Sequence, residues 1–195
     1  MASKLEVMNI ALTLLGEPTA DDPDDSSENP TTIRDLFDMA RDAVLADHPW
    51  NFAMEYAAVA ASDTTPTVRY DYAYPLPQNP YCLRVWQVID QLAAKPDLAS
   101  KWEVQGRSIL TDLGSPLYFS FIKRVTEPGL WSPGFAFALG LRLAAFSAYK
   151  ITGKSGREEA LMKHYKDFKT DGKAQDGQEG APDDVETDEF DIARL

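Results

Sequence analysis

Gly153-Lys154-Ser155 ends like a phosphate-binding loop, in which glycine-freed backbone N–H groups cradle phosphate oxygens and a lysine adds its charge. The first glycine of that pattern would fall at Ala148, and the residues before it repeat with a helical rather than a strand period. The trio therefore reads as a turn between two helices. Asp21, Asp22, Asp24, Asp25 and Glu28 gather enough oxygens for a hard divalent cation. The glycine-centred turn and distal glutamate of a calcium loop are missing, so this run reads as a solvated loop. His48 and His164 are the two histidines of the chain, and a zinc site or a serine triad would have to recruit one of them with partners at spacings the sequence does not announce. His48, just before Pro49, reads as a helix end, and His164 as an exposed helix position.

Glu55, Glu103 and Glu127 lie among aromatic residues that can raise a carboxyl pKa, and two carboxylates at the right separation make a glycosidase. With 31 acidic residues in the chain some such pair always exists, so the signal has little specificity. Trp50, Trp86, Trp102 and Trp131 could stack on sugars or bases, but in a β-rich segment they are more often anchors of a core or an interface. Cys82 is the single cysteine, which rules out an internal disulfide and a thiolate metal cluster. The expectation is a chain with no catalytic residue, cofactor or metal.

The elements that would position these residues follow from periodicity. Ser3 precedes Glu6 in a capping-box spacing, Leu5, Met8, Leu12 and Leu15 recur at helical intervals, and Gly16 offers a left-handed stop. Residues 17–30 form a loop rich in acid and proline. A second helix is expected from about Thr31 to Asp47, with Ile33, Phe37, Ala40 and Val44 inward and Arg34, Asp35, Asp38, Arg41 and Asp42 outward, closed by Pro49. Between Trp50 and Val125 the pattern changes to short strand-like runs: 51–60, 67–74, 83–89, 101–105, 108–110 and 117–124. Gln105-Gly106-Arg107 predicts a hairpin turn, and residues 90–100 are open between strand and helical turn.

After Pro133 the helical period returns. Phe135, Leu139, Leu143 and Phe146 form a bulky ridge, while Ala136, Gly140, Ala144 and Ala148 form a second ridge of small residues four apart, which lets another backbone come close. These four are the candidate subunit-interface residues. Gly153 ends this helix, and Ser155 with Glu158 makes a capping box for another that carries Leu161, Tyr165 and Phe168. Its apolar stretch from Phe135 to Tyr149 is shorter than the roughly 20 residues a spanning helix needs and is interrupted by Arg142, so it reads as a core helix. From Thr170 the composition turns to glycine and acid, a segment expected to order only on a partner, with Val185, Phe190, Ile192 and Leu195 as its apolar contacts. The fold class is thus α+β: a helical bundle from the N- and C-terminal helices (1–49 and 128–169), a β-rich middle insertion (50–127) and an acidic tail (170–195).

Nineteen basic against 31 acidic residues give a formal net charge of −12, which argues against a surface that grips phosphates. No basic region leads into an apolar run at the N-terminus, so no signal peptide is expected and folding in a cytoplasm is. At 195 residues and 44% hydrophobic the chain can bury a sizeable core.

Four stretches carry a resemblance. The first is Asn9-Ile10-Ala11-Leu12 running into Leu15-Gly16-Glu17-Pro18. The second is Ala40-Arg41-Asp42-Ala43-Val44-Leu45 leading to His48-Pro49-Trp50-Asn51-Phe52-Ala53, and the third Leu76-Pro77 before Leu83-Arg84-Val85. The fourth is Ile122-Lys123-Arg124-Val125-Thr126-Glu127-Pro128, then Trp131 and the helix with Ala138-Leu139, Leu143-Ala144-Ala145 and Ile151-Thr152-Gly153. In this order and spacing they resemble the tail tubular protein A family, the adaptors of the head-to-tail connector ring of short-tailed phages. The resemblance spans roughly residues 9–171 and implies a structural virion protein of the neck, assembled in the bacterial host cytoplasm as a homo-oligomeric ring of twelve copies. It implies a portal protein bound by the helices and the tail, a nozzle or tail tubular protein bound by the β-rich part, and double-stranded DNA passing the channel without specific binding. No membrane partner is implied. An acidic surface suits such a channel, since like charges disfavour sticking. The alternative is a phage tail-associated protein that degrades peptidoglycan through one of its carboxylates.

Overall fold

A computed structural model describes residues 2–64, 66, 68–90, 95–96 and 101–176. Among these described residues four α-helices and two small antiparallel sheets make an α+β fold. Helix α1 (Lys4–Leu15) starts where the Ser3 hydroxyl accepts from the Glu6 N–H at 3.1 Å, and stops at Gly16, whose φ of +82° is left-handed. Helix α2 (Glu28–Asp47) begins three residues earlier than its periodicity predicts. Pro30 falls in its first turn, where the helix leaves backbone N–H groups unpaired in any case, so a proline there costs little. Ile33, Phe37, Ala40 and Val44 are buried as the stripe predicts. Arg41 is not outward: only 7% exposed, it is held by Asp38 and Asp42, both at 2.8 Å.

A short 3-10 turn (Asn51–Ala53) leads into β1 (Met54–Val59). The expected strand at 67–74 shrinks to β2 (Tyr72–Pro75), because Arg69 takes a φ of +79°, which an extended strand cannot contain. Then come β3 (Cys82–Asp90), β4 (Lys95–Pro96), β5 (Trp102–Gln105), β6 (Ser108–Thr111) and β7 (Leu117–Lys123). The open question at 90–100 is answered for Lys95–Pro96, which pairs with the end of β3; residues 91–94 and 97–100 lie outside the described residues. The turn between β5 and β6 is the predicted hairpin, with Gly106 at φ +59°.

The strands divide between a four-stranded sheet, ordered β1-β7-β3-β4, and a three-stranded sheet, ordered β2-β6-β5. Leu117, Phe119 and Phe121 alternate along β7 and meet Val85, Val88, Tyr74 and Ile109 in a core of their own. Ile122, on the other face of β7, belongs to the helical core instead, so β7 joins the two.

Helix α3 (Pro133–Thr152) is capped by Ser132, whose hydroxyl accepts from the Phe135 N–H at 3.2 Å, and ends at Gly153 with φ +65°. Eleven of its residues are buried, against α1, α2 and α4 (Arg157–Asp176). It is the one described helix long and apolar enough to cross a bilayer, yet most of that stretch is inside the bundle, as expected of a core helix. Helix α4 runs past the expected end at 169 to Asp176. Its first hydrogen bond is donated by the Ala160 N–H to the Gly156 carbonyl, so Gly156, at φ +88°, stands where a cap from Ser155 was expected. Glycine takes that left-handed position without the Cβ penalty a serine would meet.

Candidate functional site

The residues with chemical potential scatter. Gly153-Lys154-Ser155 forms the exposed turn between α3 and α4, not a strand-to-helix loop. In the acidic loop the side chains serve their own backbone: Asp22 accepts from the Asp24 N–H at 2.7 Å and Asp25 from the Ser27 N–H at 2.8 Å. Hydrogen bonds from Ser27 hold the Asp25 carboxyl below its ordinary range. Among the described residues no group of three or more His, Cys, Asp or Glu side chains converges to hold a metal. His48 is buried edge-on to Trp50, with ring centres 4.7 Å apart, while His164 is exposed beside Phe137.

Glu55 lies on β1, at the edge of the four-stranded sheet, where Lys123 donates to its carboxylate at 2.8 Å. That hydrogen bond holds the carboxyl below its usual range, the reverse of what a general acid needs. Glu103 lies on β5 of the other sheet and pairs with Arg69 at 3.2 Å, and Glu127 is exposed beside the turn before α3. Trp50 and Trp131 are core residues, donating to the carbonyls of Val44 at 3.0 Å and Val125 at 3.2 Å. Trp86 and Trp102 are partly buried against the two cores. Cys82 is fully buried, and burial pushes its thiol pKa up.

What does converge is part of the second, third and fourth of the four stretches singled out in the sequence. The C-terminal half of α2, the start of β3 and the end of β7 meet at one junction between bundle and sheets. Asp42 accepts from Arg124 at 2.6 Å and from Arg41 at 2.8 Å. Arg84 donates to the Ala46 carbonyl at 3.0 Å, a cation at the negative end of α2. The guanidiniums of Arg124 and Arg107 both lie against the Tyr81 ring, 4.4 and 4.3 Å from its centre. Arg107 also donates to the carbonyls of Cys82 at 2.7 Å and Pro77 at 2.9 Å, tying the loop before β3 to the hairpin. Beneath these polar links Trp50, Phe52, Trp131 and Phe135 pack ring against ring at 5.3 to 6.4 Å. Ile122 of β7 belongs to the same helical core, so the chain around the end of β7 meets the bundle through apolar as well as ionic contacts.

The small-residue ridge of α3 has a different neighbour from the one expected. Ala136, Gly140, Ala144 and Ala148 are all buried inside the chain. A Cβ added at Gly140 would stand 2.4 Å from Ile10 Cγ2 and 2.9 Å from Ile10 Cβ, so α1 of the same chain comes down on the ridge. A second subunit has no access to these four positions, and the expectation of a subunit interface there is corrected. The other ridge is anchored by Phe135, Leu139 and Leu143, all fully buried.

Opposite the ridge, α4 is tied down by a charged cluster that sequence reasoning missed. Tyr165 donates to Asp47 Oδ2 at 2.9 Å, with Arg142 and Lys169 each 3.8 Å from the same oxygen. Arg142 also lies against the rings of Tyr165 and Phe146. Burial first, then the Asp47 charge, pushes the Tyr165 pKa well above its ordinary value. The tail residues Val185, Phe190, Ile192 and Leu195 lie outside the described residues.

The net charge also has an address. Residues 17–28 contain six acidic side chains and no basic one, and residues 177–195 contain seven acidic and one basic. Those two segments account for the whole excess of −12, and the rest of the chain balances at 18 of each sign. Compared with known family models and with curated proteins, the chain matches none.

Proposed function

We propose that the chain is a non-enzymatic adaptor subunit that assembles into a ring between the portal and the tail nozzle or tube of a short-tailed phage, extending the DNA channel. The observation that carries this reading is the junction. Parts of three of the four stretches resembling the tail tubular protein A family are far apart in sequence and meet at one place, from Arg41 and Asp42 through Arg84 to Arg124 and Trp131. That contact set joins α2 to the start of β3 and the end of β7. A ring subunit that touches one partner with its helices and another with its strands needs such a connection, because a loose hinge would not carry the symmetry of one ring to the next.

On this reading the helices and the tail with Val185, Phe190, Ile192 and Leu195 face the portal, and the β-rich part faces the tail. Subunit contacts then use exposed groups, because the small-residue ridge of α3 is occupied. Tyr56 on the edge strand β1, Met39 on α2, Tyr149 at the end of α3, Val68 and Leu130, each more than half exposed, are among the apolar groups available for them. The lowered carboxyl pKa of Glu55 weighs against that residue as the general acid of the peptidoglycan-degrading alternative. Native mass measurement of the chain mixed with the portal of its own virus tests the proposal: the expected result is a closed multi-subunit complex on the portal, near twelve copies. A chain that stays monomeric and leaves the portal bare sinks it.

A further inference from the structure

The acidic loop 17–28 and the basic groups of the junction stand at opposite ends of α2. The loop enters the helix at Glu28, and Arg84 sits on the Ala46 carbonyl, about 27 Å away along the axis. That is more than three screening lengths of about 8 Å at physiological salt, so the two ends do not neutralise each other within one chain. The loop is held in shape: Asn9 clasps Ala20 through both amide atoms, at 2.8 and 3.0 Å, and Asp22 and Asp25 accept from the loop backbone. Among the described residues no Lys or Arg side chain pairs with any of its six carboxylates. Arg34 and Arg157, the bases that touch this end, donate instead to the carbonyls of Asp25 at 3.2 Å and Leu14 at 2.8 Å.

At the other end the carboxylates are already answered: Asp38 and Asp42 by Arg41 and Arg124, and Glu55 by Lys123. Arg84 and Arg107 have no carboxylate among the described residues and donate to backbone carbonyls alone. Even with Glu127 and the Asp47 cluster of Arg142 and Lys169 included, this end has seven bases against five acids. Its cations come from α2, β3, the β5–β6 turn and β7, and the stacking of Arg107 and Arg124 on Tyr81 fixes two guanidiniums before any partner arrives. We infer that the acidic loop of one copy of this chain docks on the Arg84 and Arg107 end of another copy. The chain carries both halves of the contact and cannot join them in itself. Separate carboxylates seat on the two free cations by charge-assisted hydrogen bonds, whereas a run of phosphates would also press on Asp38, Asp42 and Glu55, so the occupant is the loop rather than a nucleic acid. The contact needs copies of this chain alone and is tested apart from portal binding.

Sedimentation velocity of the full chain then shows concentration-dependent association at low salt, which fades at about 1 M, where the screening length is about 3 Å. Arg84→Glu weakens it by about tenfold or more, and so does Asp21→Lys/Asp24→Lys, which spares the Asp22 and Asp25 carboxylates that shape the loop. The two variants mixed, or all three substitutions in one chain, restore association, because the signs are then exchanged on both sides. Arg84→Lys keeps the charge and offers an amine, so carbodiimide treatment links position 84 to a carboxyl of residues 17–28. In a mixture of isotopically light and heavy chains those linked peptides have mixed masses, as a contact between copies requires. A chain that stays monomeric at low salt overturns the proposal, as do single variants that associate like wild type, a combined variant that stays apart, or the absence of links from position 84 to the loop. Arg84-dependent binding of a DNA duplex by a chain that does not self-associate also overturns it.

Discussion

Gly140→Ala separates a ridge packed inside one chain from a ridge waiting for a neighbour. Alanine in place of glycine in a helix interior is worth about 1 kcal/mol of stability by propensity alone. Against this, the new methyl lands 2.4 Å from Ile10 Cγ2 and 2.9 Å from Ile10 Cβ, and the Cβ cannot swing away because it is fixed to the α1 backbone. Overpacking of that kind costs about 1–3 kcal/mol, and contact with a backbone-fixed atom puts this case at the upper end. The net expectation is a loss of about 1–2 kcal/mol, combining the two terms, or about 2 to 8 °C in Tm for a chain of this size. Urea denaturation followed by far-UV circular dichroism measures it, with the midpoint falling and the slope unchanged. In an Ile10→Ala background, which deletes Cγ2, the same substitution costs less, and the double-mutant cycle returns the difference as a coupling. A stabilised Gly140→Ala protein would falsify the seating of α1 on this ridge.

Tyr165→Phe deletes the hydroxyl that donates to Asp47, and the loss of a hydrogen bond to a charged acceptor predicts about 1.5–3 kcal/mol of destabilisation by chemical denaturation. Because the Tyr165 pKa is raised on folding, its contribution is complete below the unfolded value of about 10 and declines as pH rises above it. Wild type should then lose stability in alkali more steeply than Tyr165→Phe, and parallel pH profiles count against the cluster. Glu55→Gln should cost under about 1 kcal/mol, the range of an exposed ion pair. By NMR titration the wild-type Glu55 carboxyl should titrate below the ordinary glutamate range, whereas a raised value reopens the general-acid reading. Ending the chain after Asp176 should leave the thermal midpoint unchanged while weakening binding to the portal, measured by co-sedimentation. Undiminished binding removes the tail from the docking surface.

Local chemistry was legible in the sequence wherever one residue decides the backbone. Ser3, Gly16, Gly106 and Gly153 cap or turn the chain as their types and spacing require. The inward stripe of α2 was readable for the same reason, but Arg41 was not, because its burial depends on carboxylates at 38 and 42 that satisfy the guanidinium. Pro30 and Ser155 misled by suggesting helix boundaries, where a first-turn proline and a glycine at φ +88° sufficed. The division of the strands into two sheets, with β7 between β1 and β3, depends on pairings distant in sequence, for which local periodicity holds no signal. At the candidate site the motif residues were legible individually, while their convergence on Asp42 and Tyr81 was not. The ridge of α3 announced a close approach, and only the structure could say that α1 makes it.

The contact between α1 and α3 also sets a schedule for synthesis. Val7, Met8, Ala11 and Leu12 are fully buried in a core whose other half, from Phe135 to Ala148, leaves the ribosome some 130 residues later. At about 5–20 residues per second that delay is roughly 7 to 26 s. During it the apolar face of α1 lacks its seat, while the strands from Met54 to Lys123 have all of their partners once β7 is made, 12 residues before Phe135. The two sheets can therefore close on the nascent chain first, and the first helix made is among the last to find its place.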